Sequence, residues 1–333
     1  MSPPAASGTA GGRPPFFIVG ADRSGTTLLR LYLNAHSELV VPSESWFLID
    51  LFAEFGPQGV LNGADIDRAV QLVTQHPRFI DGWDVGAANL RADLARVEPL
   101  TMATFCDRLY RLQTRAGPRT SWGDKTPEYV EHLRDLDSCF PNAQYIHLVR
   151  DGRDVYLSLA KRRWSDRGYT PHELGSYWNR CVAAAALAKQ WLGERLLEVH
   201  YEDLVLATEE TLRQISQFLG VAYEPAMRTA HDAAQEIITA SENQAGVHEK
   251  LFREPRPNDV GRWRRAAGDR GLRLASGVMA SELRRNGYQE APSASAALLL
   301  KGAARGDHYW RRRARPLLRR FVRKVAARPR AGR

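Results

Sequence analysis

Phe16 to Leu29 reads FFIVGADRSGTTLL, and the layout of this stretch decides the fold. A short apolar run, Phe16 to Val19, feeds a loop that opens at Gly20 and closes at Gly25. Thr26 and Thr27 follow, and Leu28, Leu29, Tyr32 and Leu33 then recur at helical spacing. Strand, glycine-bounded loop and helix is the layout of a phosphate cradle, in which loop amides and a helix N-terminus converge on an anion. The spacing agrees with G-x-x-x-x-G-K-[ST], except that Thr26 stands where a nucleotide-binding lysine belongs. An NTPase without that lysine would lack its main β/γ-phosphate contact. The cradle is kept, and a different anionic ligand is expected in it.

Working outward, Leu39 to Val41 reads as a short strand, followed by Pro42-Ser43-Glu44-Ser45-Trp46-Phe47. Helical patterns cover roughly 46–56, 64–75 and 101–116. Ser121 to Lys125 leads into a helix predicted to start at Pro127 with Thr126 as its N-cap. Gln144 to Arg150 is a buried strand, and Asp151 caps a helix running to about Arg163. A long helix spans about Pro171 to Leu192, then a strand from Leu196 to Tyr201 and a helix from Thr208 to Leu219. Strands alternating with helices predict a P-loop-type α/β fold, a mostly parallel sheet with helices on both faces. Residues 223–265 carry weak periodicity and read as a flap over a ligand. No internal repeat is present.

Charge and cysteine narrow the function classes. The net charge is +9, but Ala291 to Arg333 holds 13 Lys and Arg against one acid, Asp307, a local +12. The remaining 34 basic and 37 acidic residues leave −3, so the catalytic region is not basic and no nucleic-acid partner is expected. Cys106, Cys139 and Cys181 are far apart, without a CxxC or Cys/His cluster, so neither a disulfide scaffold nor a metal site is expected. They read as buried small residues in a cytoplasmic, reducing setting. The expected organisation is a disordered N-terminus over 1–15, a catalytic domain over 16–290, a linker over 291–308 and a basic tail over 309–333. In that tail Trp310, Ala314, Leu317, Phe321 and Val325 fall on one helical stripe among arginines, interrupted by Pro316. A basic amphipathic pattern predicts peripheral contact with an anionic membrane surface. No run of about 18 apolar residues exists to span a membrane.

Four segments in order carry a family resemblance: DRSGTT (Asp22 to Thr27), SES (Ser43 to Ser45), GDKTPEYV (Gly123 to Val130) and VRDGRDVYLSL (Val149 to Leu159). Together with YEDLV (Tyr201 to Val205), they resemble sulfotransferases that use 3′-phosphoadenosine 5′-phosphosulfate. The bacterial and Golgi-type branch, which includes the tyrosylprotein sulfotransferases, is the most similar, and the resemblance covers about residues 16 to 288.

The resemblance implies roles residue by residue. Arg23, Ser24, Gly25, Thr26 and Thr27 would hold the 5′-phosphosulfate, with Arg23 supplying the charge that the absent lysine would have given. Arg150 ends a strand, where ligands gather in open α/β sheets, and Ser158 lies about two helical turns on, roughly 10 Å of rise. In the family these positions bind the 3′-phosphate. Lys125 matches the lysine that contacts the bridging and transferring oxygens, where charge stabilisation is needed. Glu44 matches the general base of tyrosylprotein sulfotransferases; many cytosolic sulfotransferases use histidine, and the local rivals are His36 and Glu38. Tyr201 matches the tyrosine on the adenine, and Arg253 and Arg262 match further basic contacts in the flap. Asp22 departs from the common proline or small residue and should weaken donor binding.

The expected activity is metal-free transfer of a sulfuryl group to a hydroxyl acceptor: a sugar, a lipid, a small phenol or a peptide tyrosine. A P-loop kinase of small molecules is the alternative enzyme, and it would need a lysine at position 26 and a Mg²⁺ carboxylate after a strand. An inactive adaptor docking through the basic tail is the alternative outside catalysis. Tyr177, Trp178 and Trp191, on the long alanine-rich helix, read as core.

Overall fold

The computed structural model describes residues 13–114, 121–161, 169–229 and 253–309. The chain divides into two compact units, Met1–Val149 with Ala184–Asp259, and Arg150–Ala183 with Val260–Arg333.

The first unit contains one sheet of five parallel strands: β1 (Phe16–Gly20), β2 (Leu39–Val40), β3 (Ser121–Lys125), β4 (Gln144–Val149) and β5 (Leu196–His200), in the order β2-β3-β1-β4-β5. Phe16, Phe17, Ile18 and Val19 of the central strand are all fully buried. An unbroken apolar run of this kind needs helices covering both faces, and it explains why β1 shows no alternation. Between the strands run α1 (Thr26–Asn34), α2 (Phe47–Phe55), α3 (Gly63–Gln75), α4 (Pro77–Gly82), α5 (Ala87–Leu94), α6 (Met102–Thr114) and α7 (Leu133–Cys139). After β4 come α8 (Gly152–Lys161) and α9 (Pro171–Leu192), and after β5 come α10 (Tyr201–Leu206) and α11 (Thr208–Leu219). From β1 the chain goes to β2 and β3 on one side, then crosses to β4 and β5 on the other. Strand order therefore reverses at β1, the point where ligands bind in open α/β sheets.

An aromatic ladder stiffens this unit under the loops. Phe47 meets Trp83 with ring centroids 5.1 Å apart, Trp83 meets Tyr110 at 5.0 Å, and Tyr110 stacks on Trp122 at 4.2 Å. Each such pair adds about 0.5–1.5 kcal/mol beyond its buried area. The ladder supports the residue after Trp46 at one end and the strand of Lys125 at the other.

Several expectations need correction. Ser121–Lys125 is a full strand, and the helix predicted at Pro127 begins as a 3₁₀ turn (Pro127–His132) and becomes α-helical only at Leu133. Thr126 caps nothing, because its hydroxyl accepts the Ser45 N–H at 3.2 Å instead. β4 stops at Val149 and β5 at His200, so Tyr201 opens α10 rather than ending a strand. Tyr177 and Trp178 are core, but Trp191 is half-buried under the Arg134 guanidinium, 4.5 Å from its ring. All three cysteines are buried, and none of them forms a disulfide.

In the second unit, α12 (Arg270–Arg285) packs against α13 (Ala294–Tyr309). The linker expected over 291–308 is therefore mostly helix: Ala304 is fully buried against Leu274 and Val278. A Cβ on Gly277 would collide with Leu300. Small residues let the two helices approach, and the alanine-rich run hid that apolar stripe from a reading by large side chains. The tail beyond Tyr309, the first twelve residues and most of the flap lie outside the described residues.

Candidate active site

The loop after β1 turns on two glycines. Gly20 approaches β4 so closely that a Cβ would sit 2.4 Å from the Leu148 carbonyl oxygen. Gly25 takes φ 99°, and a Cβ there would lie 2.3 Å from the Tyr201 ring. Between them Arg23 also has positive φ, at 71°, an uncommon state for a side-chain-bearing residue outside functional turns. Gly25 is the left-handed N-cap of α1, and no side chain caps that helix. The first amides of α1 are thus left for a ligand, and a helix N-terminus favours an anionic one. Ser24 adds a second sign: it is fully buried, and its Oγ has no hydrogen-bond partner among the described residues. An uncapped helix start, an orphaned hydroxyl and a glycine pressed on an aromatic ring suit a bound phosphate group. Thr26 is buried and Thr27 half-buried at the mouth of the same helix.

Glu44 and Lys125, 81 residues apart in sequence, meet directly. Lys125 closes β3 in register with Ile18, two residues before the cradle opens at Gly20. Its ammonium is almost fully buried and donates to Glu44 Oε1 at 2.5 Å. The Trp46 indole N–H donates to the other oxygen, Oε2, at 2.9 Å. Burial alone would raise the Glu44 carboxyl, but the Lys125 charge and hydrogen bond, then the Trp46 bond and the Arg78 charge, outweigh it and hold the pKa down at about 2.

The loop that carries Glu44 is held from both ends. Upstream, Arg30 Nε and Asn34 Nδ2 of α1 donate to the Val41 carbonyl at 3.1 and 2.9 Å, and the Val41 N–H returns a bond to Asn34 Oδ1. Downstream, buried Ser45 bonds Tyr129 Oη at 2.7 Å, and its N–H reaches Thr126. Below Lys125, Tyr110 Oη donates to Asp124 Oδ2 at 2.5 Å, and burial pushes the Asp124 carboxyl above its usual range.

The rival bases are occupied elsewhere. His36 Nε2 donates to the Ala222 carbonyl at 2.7 Å, and Nδ1 accepts the Glu38 N–H at 2.9 Å, so both ring nitrogens are engaged. Glu38 pairs with Arg13 at 2.7 Å. The ring of Tyr201 packs on the cradle glycine. Arg253 forks onto Asp259 at 2.8 and 3.1 Å, so its charge is matched within the protein.

In the second unit, Arg150, Asp154 and Ser158 recur at i, i+4 and i+8, with Asp154 and Ser158 on α8. Arg150 is buried, its Nη2 donates to Asp154 Oδ2 at 3.4 Å, and its carbonyl accepts the Trp178 indole at 3.0 Å. Asp154 is fully buried and also accepts the backbone N–H groups of Trp263 at 2.8 Å and Arg262 at 3.3 Å. Asp151 pairs with Arg153, at 2.7 Å, and Arg153 stacks 3.5 Å from the Trp263 ring. Ser158 is half-buried on α8.

Sequence reasoning missed Trp46, Asp124, Tyr110 and Asp154. Only Asp154 left a signal, the four-residue spacing between Arg150 and Ser158. The contacts of Trp46 and Asp124 arise from a tight turn and from long-range packing.

Comparison with known proteins agrees with this geometry. The sulfotransferase family profile matches residues 14–225. Protein-tyrosine sulfotransferase 1 of Danio rerio is 28% identical over 222 residues, covering 64% of this chain and 55% of the relative. Nodulation protein NoeE of Sinorhizobium fredii is 29% identical over 231 residues, covering 63% and 50%. This chain thus spans about half the length of the curated relatives it matches. The sulfotransferase domain of the Synechococcus PCC 7002 olefin synthase superposes with a TM-score of 0.52 at 25% identity, over 77% of this chain and 90% of that domain. With the profile matched across the cradle, the Glu44 loop, β3 and the α8 motif, the chain belongs to the sulfotransferase family.

Proposed function

We propose that the protein transfers a sulfuryl group from 3′-phosphoadenosine 5′-phosphosulfate to a hydroxyl acceptor, with Glu44 as general base and Lys125 as the charge-stabilising group. The observation that carries this reading is the Glu44–Lys125 pair at the C-terminal end of β3, on the strand beside the cradle. The donor supplies an activated sulfur and a phosphate leaving group. The α1 amides with Ser24, Thr26 and Thr27 hold the 5′-phosphate end, and Arg23 adds charge. Arg150 and Ser158 bind the 3′-phosphate, with Asp154 fixing the guanidinium.

At a pKa of about 2 Glu44 is a weak base while Lys125 grips it. An anion in the cradle competes for the Lys125 ammonium, and every loss of that contact raises the basicity of Glu44. The carboxylate then takes the acceptor proton as the acceptor oxygen bonds to sulfur and the sulfur–oxygen bond to the donor phosphate breaks. Lys125 neutralises the charge that develops on that phosphate. Coupling base strength to donor occupancy keeps the base weak until the cradle is filled. A sugar, a lipid, a small phenol or a peptide tyrosine supplies the hydroxyl, and the tyrosine sulfotransferase relatives favour testing peptide tyrosine first.

Incubating acceptor pools with radiosulfur-labelled donor tests the reading. Glu44→Gln should lower turnover by roughly two to four orders of magnitude with donor binding retained, the usual range for a lost general base. Lys125→Ala should lower both turnover and donor affinity. A Glu44→Gln enzyme that keeps more than about a tenth of its activity would sink the base assignment.

A further inference from the structure

Trp46 is an unusual residue to follow a catalytic loop so closely. Its backbone lies at φ 57° and ψ −31°, a region that a bulky side chain rarely enters. The Phe47 N–H reaches back to the Ser45 carbonyl at 2.6 Å, closing a three-residue γ-turn with Trp46 at its centre. The positive-φ form of that turn is rare and strained, and such strain persists only where the surroundings over-determine it. Here they do: Ser45 is fully buried and bonded to Tyr129, and Phe47 is fully buried against Phe79 and Trp83.

The strained residue itself is not core. Its ring is half-buried, with the Arg78 guanidinium 5.8 Å from the ring centroid. Its indole N–H goes to Glu44 Oε2. In a helix, side chains two residues apart point to different faces, and in an extended strand they share a face but stand roughly 7 Å apart. The γ-turn centred on Trp46 folds the chain back and brings the indole N–H to 2.9 Å from Glu44 Oε2.

We infer that Trp46 is the positioning residue of the base: its indole holds one carboxylate oxygen of Glu44 so that the other stays aimed when Lys125 turns to the donor. This rests on the proposed sulfuryl transfer with Glu44 as base. The two oxygens are divided between two donors of different kinds. Lys125 is a charged group that an anion in the cradle competes for, whereas the indole is neutral and gains nothing from that anion. Without the indole, Glu44 released by Lys125 can rotate away from the acceptor. The groups facing Glu44 from the packed elements are Lys125 of β3, Trp46 itself and Arg78 of α4. Loss of the indole leaves the carboxylate with one hydrogen bond fewer, which makes its charged form less favourable.

The test uses the whole 333-residue chain with Trp46→Phe, which keeps the ring and removes the N–H, and Trp46→Gly, which accepts a positive φ if the phenylalanine variant does not fold. The kcat for acceptor sulfation should fall roughly ten- to a hundredfold, the range for one lost hydrogen bond to a charged group. The KM for donor should stay within about twofold of wild type, since Trp46 touches none of the proposed cradle residues. The acidic limb of the kcat–pH profile should move to higher pH. In the background Glu44→Gln the same substitution should have little further effect, because the group it positions no longer takes a proton. An active wild type whose kcat and acidic limb are unchanged in both Trp46 variants would overturn the positioning role alone. A wild type with no sulfuryl transfer at all would overturn the proposed function and this role with it.

Discussion

Tyr201 packs so tightly on Gly25 that the first carbon of any side chain at position 25 would overlap its ring, at 2.3 and 2.7 Å from two ring carbons. The helix that opens at Tyr201 thereby sets the position of the cradle, and the glycine is needed for space as well as for its φ of 99°. Gly25→Ala should destabilise the fold by about 1–3 kcal/mol from backbone strain alone, with the ring overlap adding to it. Donor-nucleotide binding should fall more than stability does. Adding Tyr201→Ala should restore part of the stability, because it removes the overlap and leaves the strain. A double variant no better than Gly25→Ala in urea unfolding would show that the contact is unimportant.

The Glu44–Lys125 pair makes a signed pH prediction. The folded pKa of about 2 lies below the ordinary 4.5, so the carboxylate's contribution to stability is present above about pH 4.5 and lost as pH falls toward 2. A shift of that size corresponds to at most about 3 kcal/mol. The stability gap between wild type and Glu44→Gln should therefore shrink as pH drops from 5 to 2. A gap that stays constant over that interval would mean that Lys125 does not hold the carboxylate down. Glu198, also held low by its hydrogen bond from His147 across β4 and β5, should lower the stability of both proteins in acid and cancel in the gap between them.

Local signals carried much of this far from any structure. β1, the glycine-bounded loop and α1 are contiguous, so their periodicity and turn residues sit in one window, and the bounds of α9 and α11 were legible for the same reason. Glu44 and Lys125 were each readable as chemistry, but not as partners: 81 residues separate them, and only the parallel pairing of β3 with β1 brings strand end and loop together. The helical pattern over 46–56 includes Trp46 although the helix opens at Phe47, because a γ-turn has no sequence period. Asp124 carries no signal of its own in the segment around Lys125, because its partner Tyr110 lies 14 residues upstream on another element. The helix α13 escaped because its buried contacts are alanines and glycine-facing leucines rather than a stripe of large apolar residues.

Ligand preference separates the proposed activity from a kinase. Thr26 in place of the lysine weakens any hold on a triphosphate, while Arg150, braced by Asp154, is the charge proposed for a 3′-phosphate. Adenosine 3′,5′-bisphosphate should raise the Tm well above the shift given by Mg·ATP at equal concentration, and it should do so without Mg²⁺. Arg150→Ala should remove most of that difference. Equal stabilisation by Mg·ATP would favour phosphoryl transfer instead.

The helix α13 changes where the basic tail can be cut. Removing everything from Ala291 would strip Ala304 and Leu300 from α12 and expose Leu274 and Val278, so loss of function after that deletion would report unfolding. Deleting Trp310 to Arg333 avoids this, and it removes 11 Lys and Arg with no acid. The shorter protein should keep its Tm and its donor-nucleotide shift. Its binding to vesicles of phosphatidylcholine with one-third phosphatidylserine should drop sharply, since each basic residue near an anionic surface contributes about 1 kcal/mol. Binding by the intact chain should also fall steeply with salt, as screening requires. Vesicle binding that survives the deletion would move the attachment to the folded units. In that case Leu298 and Leu299, the two most exposed large apolar residues of α13, are the first to be replaced by serine.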